Sequence, residues 1–409
     1  MSEVVLITVL GQDKVGLTSV LTGILAKYDI NILDVGQSVI HNSLSLGFLI
    51  ESPNQGEDSP VFNEFLDQAK ELNLNASFTQ VTKNDYEQWV SAQGQAKHIV
   101  TLLGQKITAR HLARVTEVVT EHEFNIDEIS RLSGRLSLND KNSSQAASVQ
   151  LTLSGSIDDI TQMHSKFLHV AQELDIDIAV QEDNLYRRNR RLVCFDMDST
   201  LIQVEVIDEL AKAAGVGDKV AAITESAMRG EIDFSQSFQQ RMALLEGLDE
   251  SVLKGIAENL PITPGAARLI SHLRHFGYKI AILSGGFNYF ANYLKEKLGV
   301  DYVYANQLDF KEGKLTGKVT GDIIDGQMKA KLLRKIAEEE GISTEQVIAV
   351  GDGANDLPML AIAGLGIAFH AKPIVKQQAQ HSITNLGLDA ILYLLGMRDR
   401  ELAELKDIK

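Results

Sequence analysis

Asp196-Met-Asp198-Ser-Thr200 places two carboxylates two residues apart, directly after the apolar run Leu-Val-Cys-Phe. On extended backbone that spacing sends both side chains to the same side. Carboxylates held so close repel, and one of them is readily protonated. The pair therefore suits chemistry in which one oxygen attacks while the other serves first as acid and then as base. Gly351-Asp352-Gly-Ala-Asn355-Asp356 adds two more carboxylates after a second apolar run, and Ser284-Gly285-Gly286 follows a third. Three or four carboxylates with no histidine or cysteine cluster favour a hard cation, and Mg²⁺ that keeps several waters is the natural choice. Taken singly, each stretch has a plainer use: Asp and Thr cap helices or form turns, and glycine pairs mark strand-to-helix turns. Their order, each behind a strand-like run, argues for one shared site.

The elements that would position these residues begin at Leu192. The runs LVCFDMD, KIAILSGG, VDYVYAN, QVIAVGDG and LGIAF alternate with longer helical stretches, which predicts a parallel sheet covered on both faces. Such sheets bind ligands outside the carboxyl ends of their strands, so the three polar stretches should converge there. Between the first two strands lies Val206–Phe276, too long for one crossover, and it reads as an inserted helical cap.

The preceding 180 residues read as two copies of one β-α-β-β-α-β unit. The first has the strand VVLITVL, a helix with apolar Leu17, Val20, Leu21, Ile24 and Leu25 on one face, a hairpin turning at His41–Ser43, the helix PVFNEFLDQAKEL and a strand near Ala76–Val81. The second repeats the order from HIVTLLG to IDIAV, with a polar loop LNDKNSSQAA in its hairpin expected to be a mobile tip. A repeat of about 95 residues is far too long for a solenoid and indicates duplicated domains. Linkers are expected around Asn84–Ala96 and around Gln181–Arg191. The second contains RRNRR, which reads as a solvated linker.

Bulk properties agree with a multidomain enzyme. The chain has 409 residues, 44% apolar and 23% charged, with a formal net charge of −16. That charge argues against general affinity for nucleic acid or anionic membrane, and an anionic substrate would need locally placed positive charge. The single cysteine, Cys194, excludes an intrachain disulfide and fits a reducing compartment. The N-terminal apolar run has no basic region or cleavage site before it, and no stretch approaches a membrane span. The expected setting is cytoplasmic.

DMDST, SGG, a lysine at Lys329 and GDGAND resemble, in order, the four motifs of the haloacid dehalogenase-like superfamily, over Leu192 to about Leu395. Within it the segments FDMDSTLIQVEVIDELA, AMRGEIDFSQSFQQRMALL, SGGFNYF and NQLDFKEGKLTGKV look like those of phosphoserine phosphatases. The resemblance implies an α/β protein with a Rossmann-like parallel-sheet core and an inserted helical cap (about 205–276) within a phosphatase domain (190–409). It implies hydrolysis of O-phospho-L-serine, the last step of L-serine biosynthesis. Asp196 would be the nucleophile and Asp198 the acid and base. Mg²⁺ would sit on Asp196, the Asp198 backbone carbonyl and Asp352, with Asp356 behind them. Ser284, the Gly285 amide and Lys329 would bind phosphate, and Asn355 would assist. Glu205 would meet the substrate ammonium and Arg241 its carboxylate, a role suited to the guanidinium fork. Met228 and Phe234 would cover the site. Lys331 and Lys335 stand close to Lys329, and periodicity alone does not choose among the three.

The N-terminal pair (1–83 and 97–181) resembles tandem ACT domains, α+β modules that often bind amino acids and pair with each other. Gly11, Asp13 and Gly16 of the first copy stand at its strand-to-helix turn, where helix-start amides suit a carboxylate and Asp13 an ammonium. Helix capping is the other reading of Asp13. The second copy has GQKITARHL there and lacks the acid. The expectation is an L-serine effector and a homodimer. Two rival readings are a superfamily relative acting on another phosphomonoester, and a regulatory binding protein with a vestigial catalytic domain. Glu205 with Arg241 speaks against the first, and the complete motif set against the second.

Overall fold

Alternation along the first repeat produces half-buried strands in the computed structural model, which describes residues 3–52, 59–92, 96–135, 139, 146–155, 160–228 and 231–405. The chain divides into two compact units, residues 1–95 and 96–409. In the first, β1 (Glu3–Gln12), α1 (Leu17–Lys27), β2 (Asn31–Ile40), β3 (Ser43–Ser52), α2 (Pro60–Glu71) and β4 (Leu74–Val81) follow the predicted order. The sheet is antiparallel, ordered β2-β3-β1-β4. Leu17, Leu21, Ile24 and Leu25 are buried as predicted, whereas Val20 is 41% exposed and lies off the buried stripe. The expected linker at Asn84–Ala96 is instead largely a helix, α3 (Lys83–Ala92), with no buried residue. Thr82 starts it, its Oγ1 accepting from the Asp85 amide at 3.1 Å. The large apolar residues of α3, Tyr86, Trp89 and Val90, stand at helical spacing but are few, and Trp89 and Val90 stay exposed.

The second unit opens with β5 (Lys97–Gly104), α4 (Ala109–Glu121), β6 (Asn125–Arg131), β7 (Ala147–Ser154), α5 (Ile160–Leu174) and β8 (Asp177–Glu182), again with the order β6-β7-β5-β8. Most of the polar loop 138–147 lies outside the described residues. A short helix, α6 (Leu185–Arg188), leads to β9 (Leu192–Phe195), whose four side chains are all buried. Five helices follow: α7 (Val206–Ala213), α8 (Gly217–Met228), α9 (Phe234–Ala243), α10 (Ser251–Glu258) and α11 (Ala266–His275). α11 lies against the sheet layer, touching β10 (Lys279–Phe287) and α12 (Asn288–Leu298). Next come β11 (Tyr302–Lys311), β12 (Lys314–Thr320), α13 (Gly326–Glu339), β13 (Val347–Gly351), α14 (Leu357–Ile362), β14 (Leu365–Phe369), α15 (Pro373–Gln378) and β15 (His381–Ile383).

Seven strands form the largest sheet in the order β12-β11-β10-β9-β13-β14-β15, parallel except for β12. The five predicted strands are its middle, and the edge strands β12 and β15 were not foreseen. The second repeat is docked on this domain. Leu103, Leu132 and Ala179 share one buried core with Val193, Ile367 and Ile391. Asp177 Oδ2 accepts from the amides of Thr384 and Asn385 at 2.8 and 3.3 Å, and Gln181 Nε2 donates to the Leu394 carbonyl at 3.0 Å. The basic run expected as a solvated linker is partly interior: Arg187 and Arg190 are 9% and 3% exposed. Among the described residues no helix is long and apolar enough to cross a membrane.

Candidate active site

β9 ends at Phe195, and the chain turns at once. Asp196 (φ −69°, ψ 159°) and Asp198 (φ −67°, ψ 137°) keep extended backbone, while Ser199 takes the left-handed conformation at φ 55°. The turn is fastened from both sides. The Asp196 amide donates to the Val350 carbonyl of β13 at 2.9 Å, and Asp198 Oδ1 accepts from the Val206 amide at the start of α7 at 2.8 Å.

The carboxylates of Asp196, Asp352 and Asp356 come together, with one oxygen of each within 4.8 Å of the others. Lys329, on α13, reaches into them: its Nζ lies 2.8 Å from Asp196 Oδ1 and 2.6 Å from Asp356 Oδ1. Lys331 and Lys335 are exposed, so the fold distinguishes what periodicity did not. Burial opposes the charge on Lys329, but the Asp196 and Asp356 carboxylates outweigh it and hold its pKa above the ordinary lysine value. One lysine does not balance three acids. Burial, then the Asp356 charge, pushes Asp196 up to about 7 against the pull of Lys329. Burial, then Asp196, Asp356 and Glu205, pushes Asp352 up to about 8. An all-oxygen cluster short of positive charge fits a hard divalent cation.

Asp198 stands apart from that cluster. Burial first, then Glu205 and Asp196, raises its pKa well above the carboxylate range, opposed by the Val206 amide. It is thus disposed to carry a proton.

Ser284 lies fully buried in the last part of β10, and its Oγ accepts from the Gly286 amide at 2.8 Å. A Cβ on Gly286 would lie 2.3 Å from Asp198 Oδ2 and 2.8 Å from Met197 Cε, so the close approach of these two segments requires glycine. Asn306 was missed in sequence. Its Nδ2 donates to the Gly285 carbonyl at 2.7 Å and its Oδ1 accepts from the Ile324 amide at 2.9 Å, which fixes the peptide next to Ser284. The available signal was an amide side chain within the run that forms β11. Asn355 stands partly buried in the loop where Asp356 Oδ2 accepts from the Gly353 amide at 3.0 Å.

In the helical insertion, Glu205 is exposed at the start of α7 and accepts from Ser199 Oγ at 2.8 Å. Arg241, partly buried on α9, makes no ion pair among the described residues. Burial lowers its pKa, and the charges of Glu205, Asp208 and Asp198 oppose that shift, so it shares their field. The side chains of Met228 and Phe234 lie outside the described residues. In the first repeat, Gly11 is paired within β1. Asp13 is exposed, and its amide donates to the Asn42 carbonyl at 2.8 Å. The capping reading of Asp13 fails: the cap position of α1 is Gly16, at φ 91°, and no side chain bonds there.

A haloacid dehalogenase-like hydrolase family model matches residues 190–364, and ACT domain models match 3–79 and 96–181. The chain is 39% identical over 396 residues to a phosphoserine phosphatase of Streptomyces coelicolor, covering 97% of this chain and 93% of that protein. It is 38% identical to a phosphoserine phosphatase of Mycobacterium tuberculosis, covering 97% and 94%. Among solved structures, an unliganded probable phosphoserine phosphatase from Vibrio cholerae superposes with a TM-score of 0.58 at 35% identity, covering 76% of this chain and 90% of that one.

Proposed function

The chain belongs to the phosphoserine phosphatases, haloacid dehalogenase-like hydrolases here joined to two ACT domains, and we propose that it hydrolyses O-phospho-L-serine through a phosphoryl group carried on Asp196. The observation that carries this reading is Lys329 Nζ lying between Asp196 and Asp356, at strand ends shared with Asp352 and Ser284.

Asp196 attacks phosphorus, and the bond from phosphorus to the serine oxygen breaks. Asp198, protonated because of its burial, gives its proton to that departing oxygen. Its carboxylate then takes a proton from the water that attacks the phosphoaspartyl group, releasing phosphate and restoring Asp196. Lys329, Ser284 and the Gly285 amide hold the phosphoryl oxygens, and Asn355 assists. Asp196, the Asp198 carbonyl and Asp352 would hold Mg²⁺, with Asp356 supporting them. When bound, that ion supplies positive charge against the developing phosphoryl charge. Glu205 takes the substrate ammonium and Arg241 its carboxylate, under cover of Met228 and Phe234. These roles, and domains bounded at 1–83, 97–181 and 190–409, make up the proposal.

The deciding experiment is phosphate release from O-phospho-L-serine with Mg²⁺ or EDTA, alongside Asp196→Asn. Release that needs the metal and vanishes in the variant supports the assignment. Turnover by Asp196→Asn would overturn it.

The ACT pair adds control. We propose L-serine as its ligand, held at the first repeat by helix-start amides beside Gly16 and by Asp13 near Gly11, in a cytoplasmic homodimer. If serine changes neither binding nor activity of the full-length protein, this part fails.

A further inference from the structure

The basic run before β9 has no part in the catalytic reading, yet two of its arginines are interior. Arg187 has Asp183 Oδ1 at 3.7 Å and donates to Gln150 Oε1 at 3.2 Å. Arg190 is different. Its Nη1 donates to Gln181 Oε1 at 2.9 Å and its Nη2 to the Gly364 carbonyl at 3.1 Å, and among the described residues no carboxylate lies within ion-pair reach. Burial, then the charge of Arg187, draws its pKa down to about 10 against the weaker pull of Tyr278 and Glu345. A buried, unpaired charge is costly, and a fold that keeps one has left it something to meet.

Beside Arg190 lies a cavity of about 490 Å³ between the second repeat and the catalytic domain. His164, Gln181 and Arg187 line it from one side, Lys376 and His381 from the other. The two acids on its walls, Glu182 and Glu345, are both exposed, so the buried part of the lining is positive or neutral. The volume is that of a small-molecule pocket. It is separate from the acidic cluster, whose residues do not line it.

We infer that this interdomain cavity binds a small organic anion bearing a carboxylate or phosphate group, held by Arg190 and Lys376 and touching both walls. A ligand seated there ties the second repeat to the catalytic domain. The inference does not depend on the reaction assigned to the acidic cluster.

The test is hydrogen-exchange mass spectrometry on the full chain with citrate, L-glutamate or inorganic phosphate as probe. Saturable protection of both 164–171 and 376–382 by at least one probe is the expected result. Protection by the carboxylates alone or by phosphate alone identifies the headgroup. Phosphate at the catalytic centre does not score, because only the two walls are read. Arg190→Gln should weaken the effective probe about tenfold or more, the scale of a lost charged hydrogen bond. Because that change could loosen the docking itself, Lys376→Gln, at a partly exposed position, is read in parallel and should also weaken it. Protection by none of the three, protection of one wall only, or undiminished binding in both variants overturns the inference.

Discussion

The ammonium of Lys329 lies 2.6 Å from Asp356 Oδ1, and both side chains are wholly shielded from solvent. Removing one member of such a pair leaves the other buried and uncompensated. Lys329→Met should therefore cost about 3–5 kcal/mol. Adding Asp356→Asn to it should restore part of that loss. Urea unfolding of the metal-free proteins measures both. An unchanged midpoint in the single variant would show that the contact is incidental.

Gly286→Ala tests the closeness of the Ser284 segment to Asp198. The added methyl collides with a carboxylate pinned by the Val206 amide, so Asp198 must move. Displacement on the order of an ångström can cost about a hundredfold in rate. The expected pattern is a fall in kcat of that size with a native far-ultraviolet circular dichroism spectrum. Wild-type kcat would disprove the proposed placement.

Arg241→Lys keeps the charge and loses the two-pronged geometry. KM for O-phospho-L-serine should rise by about tenfold or more, the scale of a lost charged hydrogen bond. Phosphoethanolamine, which has the ammonium and lacks the carboxylate, should be hydrolysed as slowly by the variant as by the parent. Equal damage to both substrates would assign Arg241 to the cap's structure instead.

Acid should loosen the unit through His381. Burial, then the neighbouring charges of His164 on α5 and Arg190, lower its pKa to about 3, and Asp177 of β8 bonds the amides just beyond it. The folded state refuses a proton that the unfolded chain accepts near its ordinary value, so stability is full above about pH 6.5 and declines as pH falls toward 3. One such group contributes a slope of at most about 1.4 kcal/mol per pH unit. His164 is shifted in the same direction, chiefly by burial, and adds to the effect. Urea midpoints at pH 7 and pH 5 should differ, and less so in His381→Gln. An equal difference in that variant would rule the histidine out.

How much of this was legible in sequence depended on range. The ends of β9, β10 and β13 were readable because each is a short apolar run followed directly by polar residues. Lys329 needed the motif frame, although a further signal was present: it shares a helix face with Leu333 and Ile336, both fully buried. A lysine on the apolar stripe of α13 has to find an anion. Asn306 hid within a strand pattern. The docking of the second repeat left no local trace, because Asp177 and its partners are 207 and 208 residues apart. Arg190 looked like a linker charge partly for the same reason, since the Gly364 carbonyl it donates to lies 174 residues away.

That docking decides where the protein can be cut. Deleting residues 1–95 excises one compact unit whole. Cutting after Glu182, where the repeats end, would strip Leu103 and Ala179 from the core they share with Ile391, and would leave the amides of Thr384 and Asn385 without their acceptor. A fragment beginning near Ala96 keeps these contacts and should resist urea better than one beginning near Arg190.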